Sequence, residues 1–133
     1  MKYCADTWFI LEVFEGVPKA INLINETRTS TSSVIIPIIV YSEAIKKLMQ
    51  KGFSDKVIEE FFFGLELSKK INFIVPYKEI AKEAVKISLT NNLPLIDSFV
   101  AATSKLMECD ILLAKDSDYK ILEKKKYLKI MNW

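Results

Sequence analysis

The stretch "DILLA", residues Asp110 to Ala114, decides the fold. Ile111, Leu112, Leu113 and Ala114 follow one another with no polar residue to mark a solvent side. A strand with one wet face would alternate, whereas an unbroken apolar run fits a strand covered on both faces, as in a parallel sheet. The flanking segments agree. Downstream, "DSDYKILEK" reads as a short helix and "YLKIM" as a closing strand. Upstream, Tyr77 to Asn91 and Pro94 to Cys109 read as two helices parted by the turn "NNLP". Before them come the strand "INFIVP", a helix from "SDKVIEE" to about Lys70, and a helix from Pro37 to about Lys51 that Gly52 stops. The strand "SSVII", a helix from Pro18 to about Thr27, the helix "TWFILEVFEG" and the strand "KYCAD" complete the chain. Strands separated by helices predict an α/β fold, a three-layer α/β/α arrangement around a mostly parallel sheet of roughly five strands. Any site then belongs at the carboxyl ends of those strands.

Composition suits a single domain over residues 1–133. Half of the residues are hydrophobic, only three are glycine and four proline, and no repeat or linker marks a boundary. The longest apolar stretch, "VIIPIIVY" from Val34 to Tyr41, falls far short of the roughly 18 residues a spanning helix needs. The opening "MKYCAD" reaches an acid before a signal-peptide core can form, so the cytoplasm is the expected location, with no membrane partner. Cys4 and Cys109 lack the spacing of a zinc or redox motif and read as free thiols. The chain has no histidine, which excludes imidazole bases, Ser-His-Asp and Cys-His nucleophile systems and most catalytic zinc sites. No glycine-rich phosphate loop is present either.

Carboxylates are what remain, and Asp97 stands out among them. It sits in "LPLIDSFVAATSKLM", where its helical neighbours Leu93, Pro94, Val100 and Ala101 offer nothing to pair with it. Asp6 lies at the end of the first strand and Asp116 just past the end of "DILLA", so both point at one rim. Glu43, about two turns into the third helix, and Asp97, about one turn into its own, can lean over the same rim. Four converging acids repel and raise one another's pKa unless a divalent cation neutralises them. All-oxygen ligands suit magnesium or manganese. Each acid also has a plainer reading. Asp6 can cap the helix that begins at Thr7, and Asp116 or Ser117 the next short one. Glu43 can pair with Lys46 or Lys47 along its helix, and Asp97 and Asp118 can act as first-turn helix acids.

The four acids, in order and in these contexts ("ADT", "SEAIKKL", "LPLIDSFVAATS", "LLAKDSDY"), resemble the PIN-domain family, specifically its small VapC-type ribonuclease toxins. The resemblance spans the whole length and matches Asp6, Glu43, Asp97 and Asp116 to the family's acidic quartet. It implies a magnesium- or manganese-dependent endoribonuclease that hydrolyses RNA phosphodiester bonds, with a cognate antitoxin and a homodimeric state. Asp6 and Asp97 are then the primary metal ligands; Glu43 and Asp116 complete the site directly or through water. Thr7 matches the family's hydroxyl after the first acid, and Asp118 can assist from one step behind the ion. One departure is Ala114, where the family usually carries Thr or Ser.

Phosphodiester cleavage without histidine calls for the same metal chemistry on independent grounds. Setting four of the 17 acids aside leaves 13 against 19 basic residues, an excess of +6 that favours a polyanion. Phe61, Phe62 and Phe63 are wider than one helical face needs, which leaves part of the run for a contact. Two other readings stand. A receiver or phosphatase-like domain would usually carry paired acids at the first strand, whereas Ala5 and Thr7 flank Asp6. A catalytically silent PIN-like binding or assembly module is the other.

Overall fold

The computed structural model describes residues 1–133. Five strands, β1 (Lys2–Ala5), β2 (Ser33–Pro37), β3 (Ile71–Ile74), β4 (Ile111–Leu113) and β5 (Ile130–Met131), form one sheet in the order β3-β2-β1-β4-β5. All four pairings are parallel. Seven helices alternate with them: α1 (Thr7–Phe14), α2 (Pro18–Thr29), α3 (Ile38–Gln50), α4 (Asp55–Glu66), α5 (Lys78–Asn91), α6 (Leu95–Leu106) and α7 (Lys120–Lys124). The result is the expected α/β/α layering. Successive strand residues face opposite sides, yet Tyr3, Cys4 and Ala5 in β1 and all three residues of β4 are buried, so helices cover both faces. One core cluster of 33 buried residues runs through both layers.

Tertiary pairing shifted several boundaries. The expected helix to Lys70 ends at Glu66, because Lys70 must supply its carbonyl to the Val34 amide and start β3 beside β2. α6 stops at Leu106 rather than Cys109, since Glu108 takes a left-handed φ of 56°. Pro37 closes β2 and Ile38 opens α3. The expected strand "YLKIM" shrinks to Ile130–Met131, because the Tyr127 amide bonds the Leu122 carbonyl and finishes α7. "DSDYKILEK" divides into a 3₁₀ turn at Ser117–Tyr119 followed by α7.

The aromatic run on α4 resolves by helical face. Phe62 is buried against Tyr41, with ring centroids 4.7 Å apart, Phe61 is half-buried, and Phe63 stands 64% exposed. Phe62 is therefore a core residue. Phe62→Ala should cost about 3–5 kcal/mol of stability, whereas Phe63→Ala should stay within about 0.5 kcal/mol. Urea unfolding of both variants checks this, and equal losses would contradict the assigned face.

Candidate metal centre

The strand order reverses direction between β1 and β4, and in open parallel sheets the crevice beyond such a switch point is where ligands bind. Asp6 follows β1 directly, and its amide bonds the Leu113 carbonyl of β4 at 3.0 Å, so it sits on the floor of that crevice. It occupies the N-cap position of α1, yet its side chain makes no capping bond, and the residue is 8% exposed. The capping explanation for this carboxylate fails. Asp116 ends the connection from β4 and does cap: its Oδ1 accepts the Asp118 amide at 2.9 Å. That bond fixes the 3₁₀ turn and swings Asp118 round to the same mouth.

Asp97 is the third residue of α6, after the N-cap Pro94, and stands half-buried at the rim. Its carboxylate, with those of Asp116 and Asp118, supplies three oxygens within 4.8 Å of one another. Glu43 is tied to the floor differently: its Oε1 accepts the Thr7 hydroxyl, while Lys47 lies at a loose 4.0 Å in a half-exposed pair. Such a helix pair is worth a few tenths of a kcal/mol, so the bond to Thr7 is the more informative restraint. Thr7, whose hydroxyl was expected to assist the site, is buried and positions Glu43 from behind.

The partner that Asp97 lacked in its own helix is Tyr119. This tyrosine is wholly buried in the 3₁₀ turn, and its hydroxyl lies 3.4 Å from Asp97 Oδ1. Sequence reasoning passed over it because a buried tyrosine reads as core. The available signal was its place, one residue past Asp118, at the mouth that the acids define. Its own pKa is driven far up by burial and by the charges of Asp6 and Asp97, so it remains a neutral donor.

The electrostatics express an unrelieved cluster. Burial raises Asp97 to about 7, with repulsion from Asp6, Asp116, Asp118 and Glu43 adding to it. Burial likewise lifts Asp6 to about 6; the Thr7 amide and the Tyr119 hydroxyl oppose this, and Glu43 and Asp116 reinforce it. The only ion pair to any of these acids is the loose Lys47–Glu43 contact. An all-carboxylate donor set of this density, lacking His and Cys, fits a hard divalent cation. Asp97, Asp116 and Asp118 would hold it at the mouth, with Asp6 beneath. Asp118, expected to assist from one step behind an ion, brings its carboxylate within 4.8 Å of those of Asp97 and Asp116. At Ala114 the side chain is fully buried and its carbonyl accepts the Asn132 side-chain amide at 2.9 Å.

Comparison with known proteins gives a consistent fold. The VapBC2 structure of Rickettsia felis, bound to a DNA fragment from its promoter, superposes with a TM-score of 0.72 at 16% identity over 100% of this chain and 99% of that one. A toxin–antitoxin complex from Klebsiella pneumoniae gives 0.73 at 17% identity, covering 98% and 96% of the two chains. Mycobacterium tuberculosis VapC20, described as a sarcin-ricin loop cleaving toxin, gives 0.68 at 13% identity, covering 90% and 93%. No curated protein sequence matches the chain. The family profile described as the PIN domain matches residues 3–125, and the chain belongs to the PIN-domain family.

Proposed function

We propose that this protein is a divalent-metal-dependent endoribonuclease that hydrolyses phosphodiester bonds in single-stranded or loop RNA, acting in the cytoplasm as the toxin of a toxin–antitoxin pair. The observation that carries the reading is the convergence of Asp97, Asp116 and Asp118 above the buried Asp6 at the sheet's switch point. Toxin–antitoxin complexes among the structural neighbours support an antitoxin partner; the homodimeric state is part of the same proposal. VapC20's description as a loop-cleaving toxin supports a nucleic-acid substrate. A bound magnesium or manganese ion supplies Lewis-acid polarisation of the phosphoryl oxygens and lowers the pKa of an attacking water. The chain's own residues do the rest. Asp97, Asp116 and Asp118 bind, Asp6 closes the floor, and Tyr119 orients Asp97. Glu43, held by Thr7, would orient the water that attacks phosphorus. A carboxylate rim of this kind reaches extruded backbone more readily than a rigid duplex. The silent-module reading draws only on the missing hydroxyl at Ala114, and the acids remain in place around it.

Cleavage should vanish on chelation and leave 5′-phosphate and 3′-hydroxyl ends, the products of water attack. Asp6→Asn and Asp97→Asn should each lower the rate by about two orders of magnitude or more, and together by little more than either alone. Sequencing the ends of cleaved RNA checks the chemistry. A cyclic phosphate, or cleavage that survives chelator, would overturn it.

Metal binding should also appear in stability. At a hundredfold excess over Kd, the ion should stabilise the wild type by about 2.7 kcal/mol. Thermal melting of Asp97→Asn should show that gain largely lost, and equal gains would remove Asp97 from the site.

The pH dependence has a definite sign. Folding raises Asp97 to about 7 and Asp6 to about 6, from the ordinary aspartate value of 3.8, so unfolding releases protons that the native protein retains. Stability of the metal-free protein should therefore be highest below about pH 4 as far as these groups decide it, and be lost as pH rises through about 6 and 7. Saturating magnesium should flatten this fall in urea titrations, because it favours the ionised carboxylates. A metal-free protein with no loss across that window would contradict the strained cluster.

A further inference from the structure

Asp97 stands in the first turn of α6 and Lys105 in its last, and around Lys105 lysines outnumber carboxylates in one groove. A groove of about 330 Å³ is lined by Lys86 from α5, Lys105 from α6, and Lys125, Lys126 and Tyr127 from the turn after α7. It adjoins a larger cavity of about 700 Å³ that shares Lys105, Lys126 and Tyr127 and adds Lys129. Glu83 is the one acid of the smaller groove, and it accepts the Tyr127 hydroxyl at 2.8 Å. The larger cavity is balanced in charge, Glu108, Asp110 and Glu123 against Lys105, Lys126 and Lys129, so the basic excess lies in the smaller groove; Asp110 accepts the Lys2 amide at 2.7 Å and Glu123 the Ile130 amide at 3.1 Å.

Glu83, Asp110 and Glu123 are spent on neutral donors, Glu108 stays at the lip of the larger cavity, and none of the five ammonium groups has a carboxylate oxygen within 4.0 Å. The chain's two ion pairs, Lys47–Glu43 and Lys51–Glu15, lie elsewhere. Two of the lysines are instead steadied by uncharged groups. Lys105 Nζ lies 3.3 Å from the Tyr127 carbonyl and 4.8 Å above its ring, and Lys125 Nζ lies 2.5 Å from Asn91 Oδ1. Lys126 holds a left-handed φ of 59° in the turn after α7.

Unpaired like charges facing one groove favour a ligand that carries several negative charges in series. The combination of a basic groove with an aromatic wall is the one used to grip single-stranded nucleic acid. From Asp97 to Lys105 the rise along α6 is about 12 Å; because Ser98 and Val100 to Ser104 are buried between them, a strand joining the acids to the groove would run over the elements that cover α6. We propose that this lysine groove binds the phosphodiester backbone of the RNA substrate outside the reacting bond. The proposal rests on the ribonuclease reading and adds to it a second, metal-independent point of attachment.

Its test is equilibrium binding of a fluorescent single-stranded RNA in chelator, with Asp97→Asn as background so that no cleavage intervenes. Adding Lys86→Gln and Lys126→Gln should weaken binding about tenfold. It should also make the slope of log Kd against log salt shallower by about 1.4, the value for two lost phosphate contacts on a single strand. Lys86→Arg with Lys126→Arg should restore both, which separates loss of charge from loss of fold. In the otherwise wild-type enzyme with magnesium, the Gln pair should raise KM for a long RNA and leave cleavage of a short fragment that spans only the acids unchanged. Unaltered affinity and slope in the Gln pair would overturn the groove while leaving the ribonuclease reading intact. Absence of both binding and cleavage in the wild-type groove would overturn that reading and the proposal with it. Competition by inorganic phosphate or a nucleoside triphosphate at concentrations that do not alter ionic strength would reassign the groove to a free phosphate ligand. Binding of an acidic peptide in preference to RNA would reassign it to a protein partner.

Discussion

Carboxylates crowded at one end of a parallel sheet impose a cost that the rest of the structure is arranged to hold. Asp97, Asp116 and Asp118 bring oxygens within 4.8 Å of one another, and Asp6 is 8% exposed beneath them. Two charges about 4 Å apart repel by about 4 kcal/mol at an effective dielectric of about 20. Burial first and this repulsion second raise Asp97 to about 7 and Asp6 to about 6, so the protein answers in part by retaining protons. A divalent cation answers the same repulsion with the carboxylates ionised, so the metal-free protein is held short of its most favourable charge state.

Rigid elements keep the cluster from relaxing apart. Parallel pairing of Ala5 with Leu113 fixes where the chain leaves β1 and β4, and the Asp6 amide is bonded across that gap. Asp116 spends one oxygen on the turn that carries Asp118 and Tyr119, so the three residues share one geometry. Tyr119 then reaches back to Asp97 from a fully buried ring. The carboxyl terminus braces the same end: Asn132 bonds the Ala114 carbonyl and Trp133 packs at a tilt against Trp8, with ring centroids 4.9 Å apart. Ala114 itself offers no hydroxyl there, and its carbonyl is taken by the tail.

Much of this was legible beforehand, and the reasons are local. "DILLA" reads as a doubly covered strand because nothing in it tolerates water, and β4 is buried throughout. Pro18, Gly52 and Ser54 mark helix ends through backbone geometry and capping, and Ser54 accepts the Val57 amide as a cap should. The end of α4 was not legible, since nothing between Leu67 and Lys70 forbids helix; the need to pair β3 with β2 ended it. At the site, the spacing of acids against strand ends pointed to Asp6, Glu43, Asp97 and Asp116 on one rim. The rank of Asp118 was hidden because a 3₁₀ turn, rather than a helix, sets its direction. Tyr119 was hidden because composition cannot say which buried tyrosine turns its hydroxyl toward a charge. The lysine groove was hidden more deeply, since Lys86, Lys105 and Lys126 belong to three elements that only the packing of α5, α6 and α7 joins.

The central claim is that this cluster is electrostatically strained until a divalent cation joins it. The most direct measurement follows the side-chain carboxyl carbon of Asp97 by NMR across pH, with and without magnesium. The account predicts a midpoint near 7 in the metal-free protein and, with saturating magnesium, a midpoint moved below the ordinary aspartate value of about 3.9. An Asp97 midpoint already near that ordinary value without metal, or one that magnesium leaves in place, would contradict it.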